Sequence, residues 1–250
     1  MNIKRLLPLL VWFASLLPAN AQHTQKSAES EQLGRAIEYF SSGKYHEALL
    51  IFQKLDKEYD LNPRFKAYIG VCYYYEWDYE KATTYLDAVM QDMEVYAPHE
   101  RSFYYFSDAE SHFNLGHYRE CIPLFEQHLQ VCYNNEKGDA YYRIAFSYMF
   151  LEEWENAADN FRSALSYYRQ YRDTPELLAR ITQIEKMTKG IDDKIAAIKA
   201  ELQQEQEQES IQEQEPETKQ EQEPDPEVEI GQKSISASEQ EPDPIIEITE

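Results

Sequence analysis

The sequence has few glycines and few basic residues, and each shortage excludes a class of protein. Only 7 glycines occur in 250 residues, which argues against turn-rich all-β folds and against the glycine-rich loops that cradle phosphates. Lysine and arginine number 24, against 46 aspartates and glutamates, so the formal net charge is −22. Because binding to phosphates requires clustered lysine and arginine, we expect no nucleic-acid partner.

Groups suited to catalysis or metal binding are also sparse. Of the 3 cysteines, Cys121 and Cys132 fall on one predicted helix, about 16 Å apart at 1.5 Å per residue, too far for a disulfide. The 6 histidines are scattered; His112 and His117 straddle a turn, and we find no cysteine or carboxylate set at metal spacing beside them. Phosphate-loop, nucleophile-elbow and zinc-protease motifs do not occur. We therefore predict no metal, no cofactor and no enzyme.

The first residues indicate export. Residues 1–21 begin with a basic segment, continue through the apolar run Leu6–Leu17 and end in a small-x-small pattern. This arrangement is typical of a secretory signal peptide cleaved between Ala21 and Gln22. The apolar run is shorter than the roughly 20 residues that span a bilayer. We expect a soluble periplasmic protein without a membrane span after cleavage, beginning with a short linker at 22–28.

The last part of the chain is acidic and poor in apolar residues. Residues 201–250 contribute −15 of the net charge and contain no aromatic residue. A Gln/Glu/Pro-rich segment buries too little apolar surface to offset its ordering entropy, so we predict disorder over 204–250. Within it, Val-Glu-Ile at 228–230 and Ile-Ile-Glu-Ile at 245–248 each follow the phrase Glu-Gln-Glu-Pro-Asp-Pro. These two short segments are either docking motifs, which could reach the protein's own groove, or chance features of a low-complexity tail.

Between these ends the chain repeats itself. Pairs of small residues twelve positions apart recur as Ala36/Ala48, Gly70/Ala82, Ala109/Cys121 and Ala145/Ala157. The second members lie 34, 39 and 36 residues apart. Two antiparallel helices approach closely only where small residues face each other. Each such hairpin leaves one face uncovered, so stacking on the next hairpin builds the core.

This pattern resembles the tetratricopeptide repeat (TPR), a helix-turn-helix unit of 34 residues. The resemblance implies an all-α fold, an α-solenoid of about four units at 29–62, 63–96, 102–135 and 138–171. The extra residues 97–101 lengthen one connection, and Pro123 falls inside a predicted second helix.

A capping helix is predicted after the last repeat. Thr174 and Pro175 read as an N-cap followed by proline at the first helical position. Apolar residues then follow a three-four spacing over 174–203: Leu177, Ile181, Ile184, Ile191, Ile195, Ile198 and Leu202. Beyond Gly190 the helix either continues as a cap or pairs with a second copy as a coiled coil, giving a homodimer.

The TPR resemblance also implies a peptide-binding groove lined by the first helix of each unit. Carried onto this sequence, the groove positions are Arg64, Tyr68, Val71, Tyr75, Phe103, Phe106, Ser107, Glu110, Asn114, Tyr142, Arg143, Phe146 and Met149. Six of the thirteen residues are aromatic, which suits an apolar or proline-rich extended segment, with Arg64 and Arg143 anchoring acidic flanks. We predict a non-enzymatic exported scaffold that binds a protein or peptide partner. The alternative is a homodimerising organiser of assemblies acting through the coiled-coil segment.

Overall fold

The described part of the chain consists of α-helices joined by short turns. The structure is a computed structural model that describes residues 19–172 and 174–214, with side chains described over 28–172 and 174–210. Within those ranges no residue forms a β-strand, which confirms the all-α prediction. Residues 1–18 of the predicted signal peptide at 1–21 and residues 215–250 of the predicted tail lie outside the described residues.

Four helical hairpins follow one another along the chain, and a long helix comes after them. The α-helices are α1 (Ala19–Ser41), α2 (Tyr45–Tyr59), α3 (Pro63–Tyr75), α4 (Tyr79–Asp87), α5 (Pro98–Asn114), α6 (Tyr118–Val131), α7 (Asn134–Phe150), α8 (Trp154–Tyr171) and α9 (Pro175–Gln214). A 3₁₀ helix at Met90–Val95 lies between α4 and α5. Each even-numbered helix up to α6 packs on the following first helix, so the hairpins stack as a solenoid.

The predicted small residues lie where the two helices of each hairpin meet. Seven of them are fully buried: Ala36, Ala48, Ala82, Ala109, Cys121, Ala145 and Ala157. The eighth, Gly70, shows why size matters, because a Cβ atom added there would lie 2.6 Å from Leu86 Cγ. Large apolar residues on the second helices complete each core layer, and Phe52, Leu86, Phe125 and Phe161 have no exposed surface.

Each hairpin turns at a residue with left-handed backbone. Gly43 and Gly116 have φ angles of 72° and 78°, which glycine adopts without a steric penalty. The corresponding residues of the other two hairpins are Trp77 and Glu152, both at 61°. A residue with a Cβ pays roughly 1–2 kcal/mol to hold that conformation. Trp77 also keeps 80% of its surface exposed, so burial offsets little of this strain.

The connection between the second and third hairpins is irregular. Helix α4 has only 9 residues, and the chain then forms the 3₁₀ helix, whose Met93 is fully buried. We predicted the insertion at 97–101, but the structure places the irregular segment before Pro98. The reason is local: proline at the first helical position favours helix initiation there, so α5 begins earlier than the repeat spacing suggested.

Helix α9 lies against α8. Its buried side chains Leu177, Ile184 and Ile191 pack in one cluster with residues of α7 and α8. Helix α9 begins just after the last residue of α8. Farther along α9, Lys199 Nζ lies 3.5 Å from Oε1 of Glu155, near the first residue of α8, so the two helices run antiparallel. The stretch beyond Gly190, proposed for a coiled coil, therefore keeps contacting α8 as far as residue 199.

Both ends of the described chain are more helical than the sequence suggested. Residues 22–28, predicted as a linker, belong to α1, and residues 204–214, predicted as disordered tail, belong to α9. Ala, Gln, Lys and Glu are strong helix formers and extend a helix that is already nucleated. Of the described residues, those from 19 to 203 belong to the unit containing the repeats, and those from 204 to 214 belong to a second unit. Among the described residues, no helix has the length and apolar character that a bilayer span requires.

Candidate interaction groove

The predicted groove residues lie on α3, α5 and α7, the first helices of three successive hairpins. These helices are neighbours, since α5 contacts both α3 and α7. Val71, Ser107 and Glu110 are buried, whereas the other ten keep part of their surface accessible. Tyr75 and Asn114 are the most open members. The structure therefore brings these residues to one region, but the three buried ones are not accessible to a partner.

The two groove arginines are already occupied by carboxylates of the chain itself. Arg64 donates to Glu100 through Nε at 2.7 Å and Nη2 at 2.9 Å, which joins α3 to α5. Arg143 donates to Glu110 in the same two-pronged manner, at 2.5 Å and 2.8 Å, which joins α7 to α5. Neither guanidinium group is a free anchor for acidic flanks, contrary to the expectation from the sequence. Their role is to fix the spacing of the first helices.

The Glu110 carboxylate is the more buried of the two acids. Its side chain is only 6% exposed, and burial raises its pKa although the Arg143 guanidinium acts to lower it. Arg143 also lies over the Phe113 ring, with Cζ 4.7 Å from the ring centre. This pair is consequently the main polar connection between the third and fourth hairpins.

Two adjoining cavities flank the Arg143–Glu110 pair. One, of about 390 Å³, lies between α5, α7 and α9, and the other, of about 320 Å³, extends towards the turn after α3. Their lining includes residues that the repeat positions did not predict: Tyr74, Trp77, Tyr79, Asp139 and Arg180. Tyr74 is the middle residue of three consecutive tyrosines, and this run was the available signal for it. Arg180 carried no signal, because α9 brings it to the groove from outside the repeats.

A third cavity, of about 440 Å³, opens between α5, α6 and α7. Phe103 and Phe106, both predicted groove residues, line it together with His128 of α6. His128 Nδ1 donates to the Ser102 carbonyl at 2.8 Å, which leaves Nε2 as a buried acceptor without a partner among the described residues. Burial lowers the pKa of this imidazole, so its neutral form is favoured.

Three carboxylates, those of Glu100, Glu136 and Asp139, border this cavity. Glu100 is paired with Arg64, and Asp139 is paired with Arg172 and Arg180. With the bare Nε2 of His128, the cavity offers hydrogen-bond acceptors around an apolar interior. It can therefore take an apolar side chain that carries a hydrogen-bond donor.

The family model of the tetratricopeptide repeat matches residues 139–171, which contain most of α7 and all of α8. The fourth hairpin therefore matches the tetratricopeptide repeat. A search of curated proteins finds no significant match.

Two solved structures share the TPR fold of this chain. The apo form of RapI superposes with a TM-score of 0.51 at 13% identity, covering 68% of this chain and 72% of RapI. MamA 41-end from Desulfovibrio magneticus RS-1 gives a TM-score of 0.50 at 13% identity, covering 69% of this chain and 96% of that one. At such identities the likeness concerns the fold alone. The TPR architecture is that of a protein-interaction scaffold, since its stacked hairpins present extended surfaces.

Outside the groove, the TPR stack brings together an unpredicted cluster. Asp108 and His112 lie on one face of α5, and Asp87 at the end of α4 meets them. The sequence analysis found no carboxylate set beside His112, which was wrong. The Asp-x-x-x-His spacing on α5 was the available signal, whereas Asp87 arrives only through packing. Burial and the neighbouring Asp87 charge raise the pKa of Asp108 to about 9.

Proposed function

We propose that this protein is a non-enzymatic scaffold that holds an extended segment of a partner polypeptide along α3, α5 and α7. The observation that carries the proposal is the cavity between α5, α6 and α7. It combines half-buried Phe103 and Phe106 with an unpartnered acceptor, His128 Nε2, on a surface made by successive TPR units. Such a cavity accepts one anchoring side chain, while the neighbouring aromatic surface contacts the residues beside it.

The chemistry of the cavity indicates the anchor. A volume of about 440 Å³ is large enough for an aromatic side chain. Glu136 is the one bordering carboxylate without a basic partner among the described residues, and its charge disfavours a carboxylate in the cavity. Tyrosine and tryptophan combine an apolar ring with an O–H or N–H donor. The partner segment is therefore expected to carry a tyrosine or tryptophan without acidic neighbours. This replaces the acidic flanks inferred from the sequence, because Arg64 and Arg143 are already paired.

The proposed location is outside the cytoplasm. Support comes from the signal-like composition of residues 1–21, and the acidic tail would then add solubility in that compartment. Expressing the full gene and determining the N-terminal sequence of the periplasmic product tests this. Recovery of a chain beginning at Gln22 is the expected result; an intact chain retained in the cytoplasm contradicts it.

Binding in the groove is favoured over assembly through α9. A coiled-coil dimer needs a free apolar stripe, but Ile184 and Ile191 are buried in the cluster with α8, and Ile195 packs against it. The mass in solution of the full chain distinguishes the two functions. A monomer is expected, and a dimer lost on changing Ile198 and Leu202 to lysine supports the alternative.

Selection from a library of random linear peptides tests the groove directly. The full chain should enrich peptides that share a tyrosine or tryptophan. Phe106→Ala should weaken their binding at least ten-fold, and His128→Leu about five-fold, since one neutral hydrogen bond contributes about 1 kcal/mol. Leu50→Ala is the matched control, because Leu50 is a 58% exposed apolar residue of α2 away from the cavity. Enriched peptides that bind Phe106→Ala and wild type equally contradict the proposal.

A further inference from the structure

Three metal-binding side chains converge between α4 and α5. Asp108 and His112 are four residues apart, so they lie on the same face of α5. Asp87 is the last residue of α4, which packs against α5. His112 Nε2 lies 3.2 Å from Asp87 Oδ1 and 3.7 Å from Asp108 Oδ1. One ligand atom from each residue lies within 4.8 Å of the others.

Within the described residues, no lysine or arginine faces the carboxyl groups of this cluster. Asp108 has no exposed surface, and neither of its carboxyl oxygens has a hydrogen-bond partner among the described residues. A carboxyl group that is removed from water without such a partner is costly to bury. Asp87 adds a second acid, and within the described part of the chain only His112 lies at ion-pair distance from either acid. Both acids are therefore available as ligands.

The spacing of the three groups fits a tetrahedral ion. Bonds of about 2.0–2.2 Å to zinc place neighbouring ligand atoms roughly 3.3–3.6 Å apart. The two distances from His112 Nε2, 3.2 Å and 3.7 Å, require shifts of only tenths of an ångström. Two carboxylates neutralise a divalent cation, and the imidazole favours zinc over magnesium or calcium, which prefer oxygen ligands only.

We propose that Asp87, Asp108 and His112 form a Zn²⁺ site that joins the second and third TPR units. Asp87 is 56% exposed, so an ion can enter from its side and reach the buried Asp108. Three protein ligands leave a fourth position for water or for a group of a partner. Binding displaces the hydrogen bond between His112 Nε2 and Asp87, so the imidazole carries its proton on Nδ1. The ion bridges the two units beside their irregular connection.

Zinc titration of the full chain, untagged and treated with a chelator, tests the site. Calorimetry should show one saturable site per chain, and zinc should raise the thermal unfolding midpoint. Asp87→Asn, Asp108→Asn and His112→Gln should each weaken binding at least ten-fold, as even loss of an outer-shell group costs about 10–100-fold. Co²⁺ in place of zinc should give the visible absorption of a tetrahedral site, lost in the same variants.

The matched control is His46→Gln. His46 also faces a carboxylate, with Nδ1 3.0 Å from Glu76 Oε2, but this exposed pair has no third ligand. Zinc binding should survive this change. Asp87 is exposed, so Asp87→Asn should fold even if Asp108→Asn does not. Unchanged affinity in Asp87→Asn, equal losses in His46→Gln and His112→Gln, or displacement of zinc by millimolar magnesium overturns the proposal.

Discussion

Two neighbouring junctions of the solenoid contain the same kinds of groups but differ in how these are paired. We call the contact of α3 and α4 with α5 the second–third junction, and that of α5 and α6 with α7 the third–fourth junction. The third–fourth junction has a short connection and pairs buried Glu110 with Arg143. The second–third junction has the irregular connection, the more exposed pair Arg64–Glu100, and buried Asp108, which has no lysine or arginine partner among the described residues.

The difference shows what repeat spacing controls. Between the third and fourth units, the small residues of the second helices, Cys121 and Ala157, are 36 positions apart. A single buried ion pair there satisfies the acid that lies between the first helices. Where the interval is 39, the extra residues form a 3₁₀ helix and α4 is short. Asp87 at the end of α4 then lies beside Asp108 and His112. The irregular junction is therefore the one in which metal-binding groups have no lysine or arginine partner among the described residues.

The largest expected effect comes from breaking the buried pair of the third–fourth junction. Arg143→Met leaves the buried carboxyl group of Glu110 without its partner, so the free energy of unfolding should fall by about 3 kcal/mol. Arg64→Met should cost about 1 kcal/mol or less, because Glu100 can be solvated. Urea unfolding of both variants measures the difference. Equal decreases in the free energy of unfolding would mean that the two ion pairs stabilise their junctions equally.

The next effect concerns close approach beside the third–fourth junction. A Cβ atom at Gly138 of α7 would lie 2.7 Å from the ring of Tyr168, which is fully buried and cannot turn away. Gly138→Ala should lower the free energy of unfolding by about 2 kcal/mol. Gly34→Ala is the control, since nothing lies within 4 Å of its added Cβ and alanine favours the helix. A stabilised Gly138→Ala variant would contradict this packing.

Substitution by glycine should change the stability equally at the turns of the second and fourth hairpins, because the backbone strain there is local. Trp77→Gly and Glu152→Gly each relieve a left-handed backbone at φ 61° and should stabilise the protein by about 1 kcal/mol. Thermal unfolding measures both. A gain in only one of them would show that the surrounding junction, rather than the backbone, decides the cost.

The smallest effect is a pH dependence at the third–fourth junction. Burial lowers the pKa of His128, although Glu136 and Asp139 act to raise it and His99 to lower it. The unfolded chain therefore binds this proton first, near pH 6.5. The contribution of His128 is complete above that pH and is lost as the pH falls through the folded-state pKa.

His128→Gln should flatten this decline, because it keeps a donor for the Ser102 carbonyl without a titrating ring. Urea unfolding at several pH values between 5 and 7.5 measures the slope. An identical slope in wild type and variant would assign the pH dependence to other groups.

The location of the proposed binding region was predictable from the sequence. Which of its charged groups are already paired within the chain was not. Repeat positions placed Phe103 and Phe106 beside the cavity, because helical periodicity fixes which face a residue occupies. The same positions also nominated Arg64 and Arg143, whose partners lie 36 and 33 residues away in sequence. A pattern within one helix does not reveal which acid on the next helix will meet an arginine.

By itself, the sequence determined the hairpins. Small residues twelve positions apart permit close helix contacts, and their recurrence requires stacking. Tertiary structure alone decided which charges were left without partners. Asp87 and His112 are 25 residues apart, and their contact depends on where α4 ends and how α5 packs against it. Local periodicity determines which face of a helix a residue occupies. Whether a charged residue on that face meets a partner on another helix depends on distances that only the packing of the helices sets.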